Sequence, residues 1–167
     1  IASVSKETIS KNLQILREKI EVACKNANRD PKEITLVAVV KYQTDETIKN
    51  LYEIGIRNFG ENRLQQLEAH QEYFQSNNID IEREVVWNFI GQIQKNKLSK
   101  IVNRSDVIQS IDSVELLEMI SKKDISPKLY IQLAANDDIS RGGVRFSNAG
   151  ALMDKALELN LTISGVM

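Results

Sequence analysis

The stretch Leu36-Val37-Ala38-Val39-Val40-Lys41 decides the fold, because an uninterrupted aliphatic run ends abruptly on an amine. Such a run is typical of a strand that is buried on both faces of a parallel sheet. Parallel α/β sheets build their ligand sites at the carboxyl ends of their strands. Lys41 is therefore a candidate for chemistry in a partly dry cleft, where a neutral amine is less costly to keep. The alternative is a lysine that simply extends into solvent.

Composition limits the classes of protein to consider. The 167 residues are 42% hydrophobic and carry 22 basic and 23 acidic side chains, which suits one soluble globular domain with a core. A net charge of -1 argues against a dedicated nucleic-acid surface, and no apolar run approaches the length of a membrane span. The single cysteine, Cys24, allows no internal disulfide and gives no metal-ligand spacing. A reducing cytoplasm is the expected compartment, and Cys24 is expected to pack beside the apolar stripe of the first helix.

Strands and helices alternate along the whole chain. A first helix over 6–27, capped by Ser3 or Ser5, precedes the Lys41 strand, and Thr44 is placed to cap the second helix before Gly55 ends it. The predicted strands are 36–40, 56–59, 85–90, 106–111, 129–133 and 161–166. Six βα units with short loops predict a parallel sheet with right-handed crossovers. Periodicity alone leaves two closures open, a doubly wound open sheet and a (β/α) barrel.

Three blocks near the predicted strand ends, at 39–41, 58–62 and 87–97, resemble those of one known family, the pyridoxal-phosphate homeostasis proteins. Val39-Val40-Lys41 resembles its first-strand Val-Ser-Lys, and Asn58-Phe59-Gly60-Glu61-Asn62 matches its second-strand signature. The block 87–97, Trp-Asn-Phe-Ile-Gly-Gln-Ile-Gln-Lys-Asn-Lys, resembles the third-strand Trp-His-Phe-Ile-Gly-x-Leu-Gln-x-Asn-Lys. Ser110-Ile111-Asp112 and the closing Gly165-Val166-Met167 extend the likeness over almost the whole chain. The family has an alanine-racemase-like barrel without the racemase C-terminal domain.

The resemblance implies an α/β fold of the TIM-type (β/α) barrel class, truncated after six of eight βα units. It implies a single domain, 1–167, that holds pyridoxal 5′-phosphate as a Schiff base on Lys41 and helps to control free vitamin B6. Apolar walls that disfavour the ammonium form suit this chemistry, and reversible storage needs no second catalytic group. The expected protein is a carrier that supplies PLP-dependent apo-enzymes. The alternatives are an alanine-racemase-like enzyme and a scaffold that binds nothing.

Further site residues carry two readings each. Asn62 follows the second strand, and either orients the cofactor ring or caps the third helix. Ser110 and Met167 either face the ring from strands four and six or pack in the core. The basic stretch from Lys95 to Arg104 either attracts an anion or is a solvated helix face. His70, the only histidine, is expected on the surface.

Several positions depart from the family pattern. Val40 replaces a serine and Asn88 replaces a histidine, and neither change touches the covalent chemistry. Arg141 stands where the family tends to have a lysine, and a guanidinium cannot accept a migrating aldehyde. The turn at Gly142-Gly143 is expected to be structural.

The chain ends at Met167, before the two further strands whose turns form the family's phosphate cup. The expectation is therefore a barrel domain that is incomplete at its C-terminal end, with open edges at strands one and six. A missing C-terminal segment or a second chain is expected to complete it. Cofactor binding by this piece alone is expected to be weak, because the phosphate loses amide donors.

Overall fold

The structure is a computed structural model that describes residues 1–124 and 127–167. Its strands are β1 (Ala38–Val39), β2 (Asn58–Glu61), β3 (Val86–Phe89), β4 (Val107–Ile111), β5 (Lys128–Ile131) and β6 (Ile163–Val166). Its α-helices are α1 (Lys6–Asn26), α2 (Asp45–Glu53), α3 (Leu64–Ser76), α4 (Leu98–Arg104), α5 (Val114–Ser121) and α6 (Phe146–Glu158). The predicted alternation of strand and helix is confirmed.

The strands form one parallel sheet in the order of the sequence, from β1 to β6. Each strand therefore pairs with its neighbour in the chain, as crossover helices on one face require. Within the described residues, β1 pairs with β2 alone and β6 with β5 alone, so the sheet is open between β1 and β6. This order places all six carboxyl ends along one edge of the sheet.

The start of β2 lies two residues later than the sequence predicts. Gly55 has a φ of 101°, and the helix cap there closes with two hydrogen bonds, Gly55 N to Tyr52 O and Ile56 N to Leu51 O. This is the Schellman arrangement, in which amides just beyond the helix bond its last carbonyls. Because the amide of Ile56 is used in the cap, it cannot begin the strand. The left-handed ending predicted at Gly55 is confirmed.

The two faces of the sheet are packed differently. On the outer face, the rings of Phe59 and Trp87 lie 5.5 Å apart, and both contact Phe74 of α3 edge to face. On the inner face, a Cβ at Gly60 would lie 3.5 Å from both Val39 and Ile90. The hydrophobic core therefore lies between the outer face of the sheet and its helices.

Caps and buried positions follow the sequence closely at the N-terminal end. The side-chain oxygens of Ser5 and Thr44 accept hydrogen bonds from the amides of Thr8 and Thr47, which fixes the starts of α1 and α2. Cys24 is buried on α1, as predicted. Within residues 1–124 and 127–167, none of the helices combines the length and apolarity needed to cross a bilayer.

Candidate functional site at the carboxyl edge of the sheet

A cleft of about 750 Å³ lies at the carboxyl edge, where the loops after β1, β2, β3 and β5 meet. Its apolar lining includes Phe89, Ile90 and Ile101. Its polar lining consists of four cations and five amides, and it contains no carboxylate. The cations are Lys41, Arg63, Lys97 and Arg141, and the amides are Asn62, Gln65, Gln92, Gln94 and Gln132. A cleft lined by these charges favours an anionic ligand.

Lys41 lines this cleft, immediately after the first strand. Val40 is 1% exposed, and its amide donates to the carbonyl of Gly60 at 3.0 Å, which extends the pairing between β1 and β2. The chain then turns, with the amide of Gln43 donating to the carbonyl of Val40 at 3.0 Å. Lys41 therefore leaves the buried strand at the mouth of the cleft and not on the opposite side of the sheet.

Asn62 lines the same cleft. Its Oδ1 is buried without a hydrogen-bond partner, so this residue of the cleft lining carries an unsatisfied acceptor. The N-cap of α3 is Arg63, so Asn62 does not cap that helix. The structure thus brings two of the predicted site residues, Lys41 and Asn62, into one cleft.

Ser110 and Met167 do not line the cleft. Ser110 is 1% exposed, and its Oγ has no hydrogen-bond partner. Met167 is 40% exposed and extends the pairing of the last two strands, with its amide donating to the carbonyl of Ile131 at 2.8 Å. Contact between either residue and a cofactor stays a prediction.

Three side-chain amides, those of Asn58, Asn88 and Gln109, lie together across neighbouring strands of the sheet. The Nδ2 of Asn88 lies 3.4 Å from the Oδ1 of Asn58 and 3.3 Å from the carbonyl of Phe59. The Nε2 of Gln109 donates to the Oδ1 of Asn88 at 3.0 Å. Asn88, which stands where the related family has histidine, is therefore the centre of a bonded network across β2, β3 and β4.

Arg141 reaches the cleft from the loop after β5. Gly142 and Gly143 follow it with φ values of 84° and 97°, and the amide of Gly143 donates to Asp112 Oδ2 at 3.0 Å. Ser140 donates to Asp138, and these hydrogen bonds hold the pKa of Asp138 below its ordinary 3.8. The loop is therefore a hydrogen-bonded turn, as predicted for the two glycines. This turn holds Arg141 at the cleft.

The surface position predicted for His70 is wrong. His70 is 6% exposed, and its Nδ1 lies 3.0 Å from Oε1 of Glu61, which is itself fully buried. The ring faces the sheet because position 70 shares the inner stripe of α3 with Leu67 and Phe74. Its Nε2 lies 3.8 Å from Oδ1 of Asp45 at the start of α2. His70 therefore lies between Glu61, at the carboxyl end of β2, and Asp45, at the start of α2.

Sequence reasoning overlooked much of the polar lining. Arg63 and Gln92 were not singled out, although both follow the ends of β2 and β3 within a few residues. A wider form of the rule that selected Lys41, which takes polar residues within three positions of a buried strand end, selects them too. Gln132 follows β5 in the same way.

Comparison with known proteins assigns the fold to a family. The sequence profile described as "Alanine racemase, N-terminal domain" matches residues 7–167, and the chain belongs to this family. Its fold is therefore the α/β barrel domain of that family, as the third strand block and its neighbours predicted. Within the family, the chain groups with the pyridoxal phosphate homeostasis proteins.

Curated relatives carry that name in several bacteria. The protein of Haemophilus influenzae is 31% identical over 141 residues, which are 82% of this chain and 58% of the relative. The protein of Escherichia coli K12 is 29% identical over 164 residues, which are 95% of this chain and 69% of the relative. The chain thus spans between about three fifths and two thirds of the length of these relatives.

Solved structures give the same fold. PipY of Synechococcus elongatus with PLP bound is 26% identical and superposes with a TM-score of 0.67, covering 89% of this chain and 68% of that one. An unknown protein from Bifidobacterium adolescentis gives a TM-score of 0.86 at 24% identity, covering 99% of this chain and 72% of that one. Alanine racemase of Corynebacterium glutamicum shares the fold at 12% identity with a TM-score of 0.69, covering 98% of this chain and 44% of that one.

Proposed function

We propose that the chain binds pyridoxal 5′-phosphate as a Schiff base on Nζ of Lys41 and takes part in vitamin B6 homeostasis without turnover. The observation that carries the proposal is the position of Lys41 in a cleft whose lining has cations and amides but no carboxylate. A phosphorylated aldehyde needs an amine for its carbon and positive charge for its phosphate. The relative of Synechococcus elongatus whose structure has PLP bound supports the assignment.

The residues present fit this group. Lys41 would hold the cofactor through a C=N bond between its Nζ and the aldehyde carbon, with the aldehyde oxygen lost as water. The buried Oδ1 of Asn62 lacks a partner in the protein and is an acceptor for a ring hydroxyl. Ile90, which is partly exposed in the cleft lining, supplies an apolar contact for a flat ring. Ser110 and Met167 belong to the same proposal as contacts on the remaining sides of the ring.

Storage and not turnover is the function that the lining supports best. A racemase of this fold needs a second base on the opposite face of the substrate carbon. Among the described lining residues, the side chains other than Lys41 and Lys97 are guanidinium groups, amides or hydrocarbons. The curated relatives are named homeostasis proteins, which agrees with a carrier. An alanine-racemase-like enzyme is the second candidate, because the family profile is that of the racemase domain.

The proposal includes transfer of the cofactor to apo-enzymes, and it also concerns the open edges of the sheet. The described residues leave β1 and β6 with one neighbour each, and unpaired strand edges readily accept a further strand. A further segment or a second chain at these edges would bring backbone amides to the phosphate. We propose that such an addition strengthens binding without changing the residue that carries the aldehyde.

The test is reductive trapping of the aldehyde on the chain. The protein is incubated with pyridoxal 5′-phosphate, its absorbance is recorded, borohydride reduces the C=N bond, and peptide mass spectrometry locates the adduct. We expect an adduct on Lys41 that Lys41→Ala abolishes. Lys97→Ala is the matched control, because it removes another amine from the same cleft. An adduct of equal stoichiometry in Lys41→Ala would refute the assignment. Exchange of the α-proton of alanine when the protein is incubated in deuterated water would refute the carrier function and favour the racemase-like enzyme.

A further inference from the structure

Tyr42 has a backbone conformation that its residue type disfavours. It follows Lys41 directly and has a φ of 64°, in the left-handed region that bulky L-residues avoid. Elsewhere in residues 1–124 and 127–167, the non-glycine residues in this region are asparagines, aspartates and one arginine. Core packing does not explain the tyrosine, because Tyr42 is 46% exposed. Another interaction must hold it there.

Arg63 is an equally unfavourable choice at its own position. It is the N-cap of α3, but its side chain makes no capping hydrogen bond. Short polar residues are preferred at this position, and the N-terminus of a helix repels positive charge. The residue is therefore explained neither by the helix that it begins nor by burial, since its side chain is exposed.

The two unfavourable residues contact each other. The guanidinium carbon of Arg63 lies 5.4 Å from the centroid of the Tyr42 ring, within the range of a cation–π contact. The Nη2 of Arg63 also donates to the hydroxyl of Tyr42 at 3.3 Å. Backbone strain that persists next to a ligand cleft points to a role in holding a functional group.

The group held in this way is Lys41. The hydrogen bond from Gln43 to Val40 closes a turn whose two central residues are Lys41 and Tyr42, so these two share one peptide plane. Relaxation of Tyr42 to negative φ would rotate that plane or open the turn, and a turn that opens would redirect the stem of Lys41. We infer that Tyr42 and Arg63 are positioning residues, which hold the turn so that the amine of Lys41 faces the cleft. This inference rests on the proposed function of Lys41.

Substitutions at position 42 separate positioning from simple packing. Tyr42→Leu keeps the conformational penalty but removes the contact with Arg63, and we expect Lys41 to be trapped about two- to fivefold more slowly. Tyr42→Gly also removes the contact, but glycine adopts positive φ without strain, so trapping on Lys41 should stay near the wild-type rate. Rescue by the smaller residue is the opposite of what a packing role predicts.

Substitution of Arg63 completes the cycle. Arg63→Met removes a cation from the cleft in either background, so some slowing is expected in both. The positioning role predicts that the slowing is about two- to fivefold larger in the wild-type background than in the Tyr42→Gly background. Arg57→Met is the matched control, because Arg57 lies 3.9 Å from the ring centroid of Tyr52 at the opposite end of β2. It removes the same type of contact away from Lys41 and should leave the rate unchanged.

The assay is the rate of borohydride-trapped adduct on the Lys41 peptide at subsaturating pyridoxal 5′-phosphate, with the Lys97 peptide as internal reference. A thermal melt of each variant shows that it is folded. A wild-type chain without an adduct on Lys41 overturns the proposed function and the positioning inference with it. A wild-type chain that reacts at Lys41, with Tyr42→Leu and Arg63→Met equally fast, overturns the positioning inference alone. Slow trapping in Tyr42→Gly would also overturn it.

Discussion

Gly91→Ala should displace Asn62 from the candidate cofactor cleft. A Cβ at Gly91 would lie 2.1 Å from the carbonyl oxygen of Asn62, 2.7 Å from its carbonyl carbon and 2.8 Å from its Cα. An ordinary carbon to oxygen contact is about 3.3 Å, so the two segments must separate by roughly 1 Å. The atoms that are met belong to the backbone, and therefore no side-chain rotation relieves the clash. The φ of Gly91 lies outside the left-handed region, so the effect is steric and not conformational.

Overpacking of this kind costs about 1–3 kcal/mol. With a urea dependence of about 2 kcal/mol per molar, a loss of about 2 kcal/mol lowers the unfolding midpoint by about 1 M. We expect this shift together with a slower trapping of pyridoxal 5′-phosphate on Lys41, because the acceptor of Asn62 moves with its backbone. Gly150→Ala is the control: nothing lies within 4 Å of a Cβ there, and alanine favours the α6 helix by about 0.5–1 kcal/mol. A Gly91→Ala variant with the wild-type midpoint and trapping rate would refute the reasoning.

Two further predictions concern charge. His70→Leu removes the imidazole that lies 3.0 Å from the fully buried carboxyl group of Glu61, and the polar group left behind without a neighbour should lower the free energy of unfolding in urea by about 1–3 kcal/mol. An unchanged free energy of unfolding would contradict this. The hydrogen bond from Lys6 lowers the pKa of Glu53 below its ordinary 4.5, so the stability from this pair is present above about pH 4.5 and is lost as the pH falls through the folded pKa. In Lys6→Ala, a carboxyl carbon titration by NMR should show the pKa of Glu53 returning towards 4.5, and an unchanged pKa would count against the assignment.

The order and type of the elements could be predicted from the sequence because each rests on local signals. Aliphatic runs, the caps at Ser5 and Thr44 and the ending at Gly55 all act within a few residues. The exact start of β2 could not be predicted, since it depends on whether the amide of Ile56 bonds to the helix or to the neighbouring strand. The structure shows it bonded to Leu51 in the helix cap. Strand boundaries thus depend on a competition between hydrogen bonds that the sequence does not display.

The candidate site was partly predictable for the same reason. Lys41 and Asn62 directly follow strands, and parallel pairing alone brings such residues to one edge. The side-chain direction of Ser110 is not given by alternation, because the pairing of β4 with β5 shifts register between Ile108 and Ile111. An irregularity of this kind changes which face a residue occupies. The approach of Gly91 to Asn62 was also invisible, because it joins two loops in space.

The charge of the cleft shows why composition is a poor guide to the ligand. The chain carries 22 basic and 23 acidic side chains, which by itself predicts no preference for anions. The described lining of the cleft nevertheless has four cations and no carboxylate. A ligand responds to the charges within about a Debye length, roughly 10 Å, and not to the net charge of the whole protein. The relevant signal in the sequence is therefore the sign of the residues that follow each strand, such as Lys41 and Arg63, and this signal favours an anion even when the total is close to zero.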